Sequence, residues 1–213
     1  MINLNMKQLL IIFLFAATQV SAQMPKHPPR SVTTSTGGVT YATWNSSDKG
    51  SGITLSNSNM SFTGDGSSNS FSVRGDKFIS GTQTAYFEAD IQSGSASSIT
   101  VGIATNAAAL SGQPGDNDAF TWTLGNNGYA HNNGVGTYTG SSFTTQRLGF
   151  AIDMGAGTLR MYVANSLVQT YTGISGNIYI GGVAFFEGTK VITIYTNPAS
   201  QLYSPPAGIT AGF

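Results

Sequence analysis

Hydrophobic and polar residues alternate along much of the chain after residue 41, with the period of two that half-buried β-strands show. In residues 84–91 every second side chain is apolar, and the apolar set is Ala85, Phe87, Ala89 and Ile91. Further β-rich runs cover residues 99–104, 120–124, 148–154, 158–164, 178–186 and 191–195, separated by Gly, Ser and Asn clusters. No stretch has sustained helical periodicity. The pattern predicts an all-β fold of two packed antiparallel sheets, with turns spaced about 8–12 residues apart.

The first 22 residues indicate a secretory signal peptide. Lys7 supplies the positive charge, and residues 9–17 form an apolar run that is too short to span a bilayer. Val20, Ser21 and Ala22 then place small residues where signal peptidases cleave. We therefore expect a mature chain that begins at Gln23, that is extracellular or periplasmic, and that keeps no membrane span. An uncleaved membrane anchor is the alternative.

Residues 23–42 form a second segment, rich in Pro, Ser and Thr. Pro25, Pro28 and Pro29 disfavour a packed element, so we predict a linker or an arm. The remaining residues, 43–213, are enough for one β-sandwich domain.

Charge is scarce in this chain. Only 8% of the residues are Asp, Glu, Lys or Arg, and the formal net charge is zero. Without a basic field there is no electrostatic basis for nucleic-acid binding. The chain has no cysteine, which excludes thiol catalysis and thiolate metal sites. Its stability must come from the packed core, and its surface must consist mainly of neutral hydrogen-bonding groups.

Several segments, in the same order along the chain, resemble the SPRY domain in the variety seen in bacterial and phage proteins. The resemblance runs from about residue 43 to residue 213 and is carried by residues 85–89 (AYFEA), 101–104 (VGIA), 115–122 (GDNDAFTW), 148–159 (LGFAIDMGAGTL) and 203–208 (YSPPAG). It implies a concanavalin-like sandwich of two antiparallel sheets that displays loops at one end. It also implies a non-catalytic binding module; such modules mostly bind proteins, and relatives by fold bind sugars.

Aromatic and amide side chains beside Gly- and Asn-rich loops are the best candidates for ligand contact, because rigid amphipathic rings suit both protein hot spots and glycan stacking. We predict a ligand surface formed by residues 107–118, residues 126–139 and the turn at residue 165, all at one end of the sandwich. The candidate residues are Asp116, Asn117, Asp118, Trp122, Tyr129, His131, Asn132, Tyr138 and Asn165. The ligand would be a protein or a glycan.

Metal and cofactor chemistry have little support in the sequence. Residues 115–118 supply two carboxylates and one amide, which favours a solvated loop and leaves a weak calcium site open. The two histidines, His27 and His131, are far apart in sequence and make neither a zinc site nor a catalytic triad. We therefore predict no cofactor and no resident metal.

Hydrolysis of glycans is the main enzymatic alternative. Laminarinase-type glucanases of the same fold class carry the motif Glu-x-Asp-x-x-Glu, and here Glu88 and Asp90 are followed by Ser93. Retaining hydrolysis needs two carboxyl groups about 5–5.5 Å apart, and serine cannot replace the acid. We expect Glu88 to be structural, accepting hydrogen bonds from neighbouring loops, and the chain not to be an enzyme. A virion component, suggested by the phage-like ending, and a matrix protein remain alternatives.

Overall fold

A computed structural model describes residues 40–66, 70–91, 99–111, 121–140, 142, 146–185 and 191–213. The predicted signal peptide and most of the predicted arm lie outside these residues. The strands are β1 (Trp44–Lys49), β2 (Ile53–Ser56), β3 (Ser61–Gly64), β4 (Ser70–Ile79), β5 (Thr84–Ile91), β6 (Ile99–Thr105), β7 (Thr121–Gly125), β8 (Tyr129–Asn132), β9 (Val135–Tyr138), β10 (Arg147–Asp153), β11 (Thr158–Val163), β12 (Ser166–Thr172), β13 (Ile178–Phe185) and β14 (Val191–Tyr195). One 3₁₀ turn, Pro198–Ser200, follows them.

The strands form two antiparallel sheets of seven strands each, which confirms the all-β sandwich predicted from the pattern. The front sheet has the order β1-β4-β13-β6-β7-β8-β9, and the back sheet has the order β12-β11-β10-β5-β14-β3-β2. In β5, the residues with alternating apolar side chains face the core, and Tyr86, Glu88 and Asp90 lie on the outer face of the back sheet, as the pattern predicted.

Aromatic side chains fill much of the space between the sheets. Phe87 and Phe150, from neighbouring strands of the back sheet, stack with their ring centroids 4.7 Å apart. Trp44 of the front sheet meets Phe62 of the back sheet edge to face at 5.1 Å. All four side chains are fully buried. A side chain at Gly182 would place its Cβ 2.5 Å from the ring of Phe62, so glycine is what lets β13 approach that ring.

The two ends of the sandwich can be assigned from the strand pairing. Strand β5 ends at Ile91 and β6 begins at Ile99, so these residues share the end that we call the upper end. Strand β6 runs to Thr105, which pairs with Ile178, and these define the lower end. Seven residues of extended chain separate the ends by about 20 Å. Strand β10 begins beside Asp90 at the upper end, and β11 runs back to the same end. The turn between β11 and β12 therefore lies at the upper end, opposite the loop after β6.

Candidate functional site

The edge of the front sheet is a short hairpin, β8–β9. Asn133 (φ 50°) and Gly134 (φ 75°) occupy its two-residue turn, and left-handed φ at both positions is the requirement of a type I′ turn. The register places Tyr129 opposite Tyr138 and His131 opposite Gly136. Since residues two apart on a strand share a face, these three ring side chains project from one face of the hairpin.

The rings form a contact cluster, which we call the aromatic hairpin: Tyr129, His131 and Tyr138. The ring centroid of Tyr129 lies 5.2 Å from that of Tyr138 and 6.0 Å from that of His131. Tyr129 is 39% exposed and Tyr138 is 54% exposed. A Cβ at Gly136 would stand 3.2 Å from the imidazole of His131 and 3.3 Å from the ring of Tyr129, so glycine leaves the rings room to meet.

Hydrogen bonds fix the hairpin to the rest of the sheet. The amide of Asn132 donates to the carbonyl of Thr121 at 2.7 Å. At the other end of the hairpin, the backbone and the hydroxyl of Thr139 both donate to the carbonyl of Gly128 at 2.8 Å. Ala130, between the rings in sequence, is fully buried on the core side. The exposed rings therefore stand on an anchored support.

Next to the aromatic hairpin, the outer face of the front sheet is lined by hydroxyl side chains. Ser72, Thr100, Thr121 and Thr123 are all at least nine-tenths buried, and none of their hydroxyl groups has a hydrogen-bond partner. Thr123 lies between His131 of β8 and Gly102 of β6. These buried hydroxyl groups therefore extend from the ring cluster towards the middle of the front sheet.

The first part of the predicted loop 107–118 is held against this face by Arg74. The guanidinium forms two 2.7 Å hydrogen bonds to the carboxylate of Asp48, and its remaining amino group donates to the carbonyls of Thr105 and Ala108. The backbone N–H of Ser72 also donates to the carbonyl of Leu110 at 3.2 Å. Arg74 thus fixes the path of the chain after β6.

The structure separates the residues that the sequence analysis grouped in one surface. Tyr129, His131 and Tyr138 come together. Trp122 and Asn132 lie at the lower end, where Trp122 is 9% exposed and Asn132 bonds the backbone of β7. Asn165 (φ 66°) occupies the turn between β11 and β12 at the upper end, on the back sheet. Asp116, Asn117 and Asp118 fall outside the described residues.

Glu88 has the structural role predicted for it. It is fully buried, and its Oε1 accepts hydrogen bonds from the hydroxyl of Tyr86 at 3.1 Å and the backbone of Tyr203 at 2.8 Å. Its Oε2 accepts from Arg147 at 2.8 Å and from the backbone of Leu202 at 2.7 Å. Burial, together with the charge of Glu88, raises the pKa of Tyr86 well above its usual 10.0.

The neighbouring carboxylate is also engaged. Asp90 accepts from Arg147 at 2.6 Å and from the hydroxyl of Tyr195 at 2.9 Å. The guanidinium of Arg147 lies 3.7 Å from the centroid of the Tyr195 ring. The sequence analysis did not name Arg147 or Tyr195. The chain has only nine Lys and Arg residues, and this scarcity was the one signal that could have pointed to Arg147 as a partner of Glu88 and Asp90. Every oxygen of the two carboxylates has a partner within the protein.

The described part of the chain includes His131 but not residues 112–120. Among the described residues no group of three or more His, Asp or Glu side chains is placed to hold a metal ion. The possible calcium ligands at residues 115–118 lie outside the described residues. No helix in the described ranges is long and apolar enough to cross a membrane.

Comparison with known proteins matches residues 84–181 to the SPRY domain family. The match runs from β5 into β13, and residues 84–181 are therefore identified as a SPRY domain. SPRY domains generally act as protein-interaction modules and are typically non-catalytic. A comparison with curated proteins finds no significant match. The bacterial or phage subtype stays a prediction.

Solved structures show the same fold at low sequence identity. The SPRY domain of human HERC1 has a TM-score of 0.61 at 14% identity, covering 71% of this chain and 96% of that one. The TRIM65 PSpry domain has 0.59 at 17% identity, covering 74% and 93%. The stonustoxin structure has 0.59 at 18% identity, covering 73% of this chain but only 27% of the longer stonustoxin chain.

Proposed function

We propose that this chain is a secreted, non-enzymatic binding module that captures a protein partner through the aromatic hairpin. The observation that carries the proposal is the pair of exposed, mutually contacting rings of Tyr129 and Tyr138 on an anchored edge hairpin. Tyrosine provides a large contact area at low entropic cost, and tyrosines are enriched among residues that dominate binding energy. The general role of SPRY domains in protein interactions supports the same reading.

The neutral composition sets the character of the proposed interaction. With 8% charged residues and no net charge, recognition depends on ring contacts and neutral hydrogen bonds. Such contacts act at short range and are not screened by salt. We therefore expect the affinity for the partner to change little between low and high ionic strength.

The test is capture of a partner from the source culture by the immobilised mature chain, followed by affinity measurement with the purified partner. Tyr129→Ala and Tyr138→Ala should each weaken binding at least about tenfold, which corresponds to about 1.4 kcal/mol. Leu202→Ala is the matched control, because Leu202 is 64% exposed but lies in the C-terminal segment behind the back sheet. Unchanged affinity in both tyrosine variants would refute the assignment of the site.

Secretion is tested separately. We expect N-terminal sequencing of mature protein from the culture medium or periplasm to begin at Gln23. Material that begins at Met1 or Met6 would contradict cleavage. Assembly of the purified chain into large particles would favour the virion and matrix alternatives over a free binding module.

A further inference from the structure

A second site lies at the lower end of the sandwich and includes Trp122, a core-side residue of β7. The segment after β6 and the segment between β12 and β13 border an open cleft of about 370 Å³. Its described lining residues are Thr105, Asn106, Ala107, Trp122, Gly173, Ser175, Gly176 and Asn177. None of these side chains carries a charge, and the lining combines one indole with amides and hydroxyls.

One wall of the cleft is fixed by hydrogen bonds. The hydroxyl of Thr105 accepts from the backbone of Ala107, and the carbonyl of Thr105 accepts from the backbone of Ala108, both at 3.2 Å. Arg74 donates to the carbonyls of Thr105 and Ala108 from behind. The guanidinium is thereby committed to the protein, with Asp48 as its counter-ion, and the cleft itself stays neutral.

The other wall is held by Ile174 and contains two glycines in left-handed conformations. Ile174 is 2% exposed, and its backbone donates to the carbonyl of Gly157 at 3.0 Å. Gly173 (φ 78°) and Gly176 (φ 84°) have left-handed backbones, and a Cβ at either would meet no atom within 4 Å. The pairing of Ile178 with Thr105 brings this wall beside the first one.

The chemistry of the lining indicates the class of ligand. Trp122, which is 9% exposed, adds only a small apolar patch to the lining, while the amides of Asn106 and Asn177 can each donate and accept, as sugar hydroxyls require. Small-molecule sites span about 300–1,000 Å³, and this cleft is near the lower limit, where a single ring fits. A phosphate or carboxylate ligand would find no cation among the described lining residues. We propose that the cleft binds one neutral pyranose ring, held mainly through the amides of Asn106 and Asn177 beside Trp122.

This proposal does not depend on the proposed protein-binding function, because Trp122 and the ring cluster point to different faces of the front sheet. Leu124 and Trp122 belong to the core side, whereas Thr123 and His131 lie on the outer side. Tyr129→Ala should therefore leave pyranose binding unchanged. The two proposals can fail independently of each other.

Tryptophan fluorescence supplies a direct readout. The chain has two tryptophans, and Trp44 is fully buried, so a sugar at the cleft changes the emission of Trp122. Glucose, galactose, mannose and N-acetylglucosamine are titrated separately into the full mature chain, with saturation-transfer NMR as a second measurement. We expect a saturable change with at least one sugar and a Kd on the order of 1 mM, as small ligands with few contacts show.

Two variants locate the binding. Ala107→Arg places a long side chain in the cleft from an exposed position, and Asn177→Ala removes one amide. Each substitution should weaken the affinity for the sugar at least about tenfold. Ser166→Arg adds the same side chain at an exposed position of the upper end and should bind like the unmodified protein. No saturable signal for any of the four sugars up to about 100 mM, or equal affinity in Ala107→Arg and Ser166→Arg, would overturn the proposal.

Discussion

Replacing Glu88 by glutamine tests whether one buried carboxylate fastens the C-terminal segment to the back sheet. The carboxylate accepts four hydrogen bonds, two of them from the backbone of Leu202 and Tyr203. Glutamine keeps the shape of the side chain but turns one of its two acceptor atoms into a donor. In either orientation, its NH₂ group faces a backbone N–H that has lost its acceptor.

The size of the effect can be estimated from these contacts. Leaving one buried donor unpaired costs about 1–3 kcal/mol, and breaking a buried ion pair by removing one partner costs about 3–5 kcal/mol in total. The Glu88 side chain is fully buried, but the Arg147 side chain keeps 15% of its exposure and retains Asp90 as a partner. We therefore expect a loss of about 3 kcal/mol, the lower limit of the range.

Urea-induced unfolding followed by tryptophan fluorescence measures this loss, and hydrogen exchange at the amides of Leu202 and Tyr203 shows whether the C-terminal segment detaches first. Asp90→Asn is the matched control, because it removes a carboxylate from the same arginine at a site whose side chain is 29% exposed. It should cost about 1 kcal/mol. A loss below about 1 kcal/mol for Glu88→Gln, with slow exchange retained at both amides, would refute the reasoning.

Three other changes have defined outcomes. Thr123→Val should leave the urea midpoint unchanged or raise stability by about 1 kcal/mol, because the buried hydroxyl has no partner; a clear loss would show that it has one. Gly182→Ala should lower stability by about 1–3 kcal/mol, because the new methyl group meets the ring of Phe62, and an unchanged thermal melt would contradict this. Burial raises the pKa of Tyr86 and of Tyr195 above the ordinary 10.0. Both hydroxyl groups therefore lose their protons at lower pH in the unfolded chain than in the folded protein. Stability present below pH 10 should fall as pH rises beyond it, and absorbance at 295 nm should show that part of the tyrosine signal titrates above the ordinary range in the folded protein.

Local sequence patterns predicted the strands themselves better than they predicted which strands pair with each other. The alternation in residues 84–91 gave β5 and both of its faces correctly, because one face of that strand meets the core and period-two burial follows directly. The turn residues Asn133 and Gly134 signal a type I′ hairpin, yet β8–β9 was grouped with its loops and not identified as paired strands. The exposed pattern of β9, at the edge of the sheet, contains no buried position that would have marked it as a strand.

The arrangement of the candidate site depended on pairings between distant residues. That Asn165 and the start of the 107–118 loop lie at opposite ends follows from the pairing of β6 with β13 and of β10 with β5, which no local window contains. The burial of Thr123 is equally non-local, because Ala108, Ala109 and Leu110 of the segment after β6 line the same small cavity as Thr123. Tyr129 and Tyr138, two of the candidates named from the sequence, are exposed, whereas the candidate Trp122 is 9% exposed. The sequence alone could not show which of the rings meet.

The distribution of the few charges explains where ligands can bind. On the back sheet, Arg147 joins Glu88 and Asp90 beneath the C-terminal segment, and Gly212 exchanges two backbone hydrogen bonds with Tyr86. The part of the back sheet around β5 is therefore covered by the chain itself, while the aromatic hairpin and the lower-end cleft remain open. Because these ion pairs serve packing, the open surfaces are left to rings, amides and hydroxyls, whose contacts salt does not screen. A partner that binds the hairpin should therefore stay bound at about 1 M salt, where the Debye length is about 3 Å, and a partner released by salt would have to bind elsewhere.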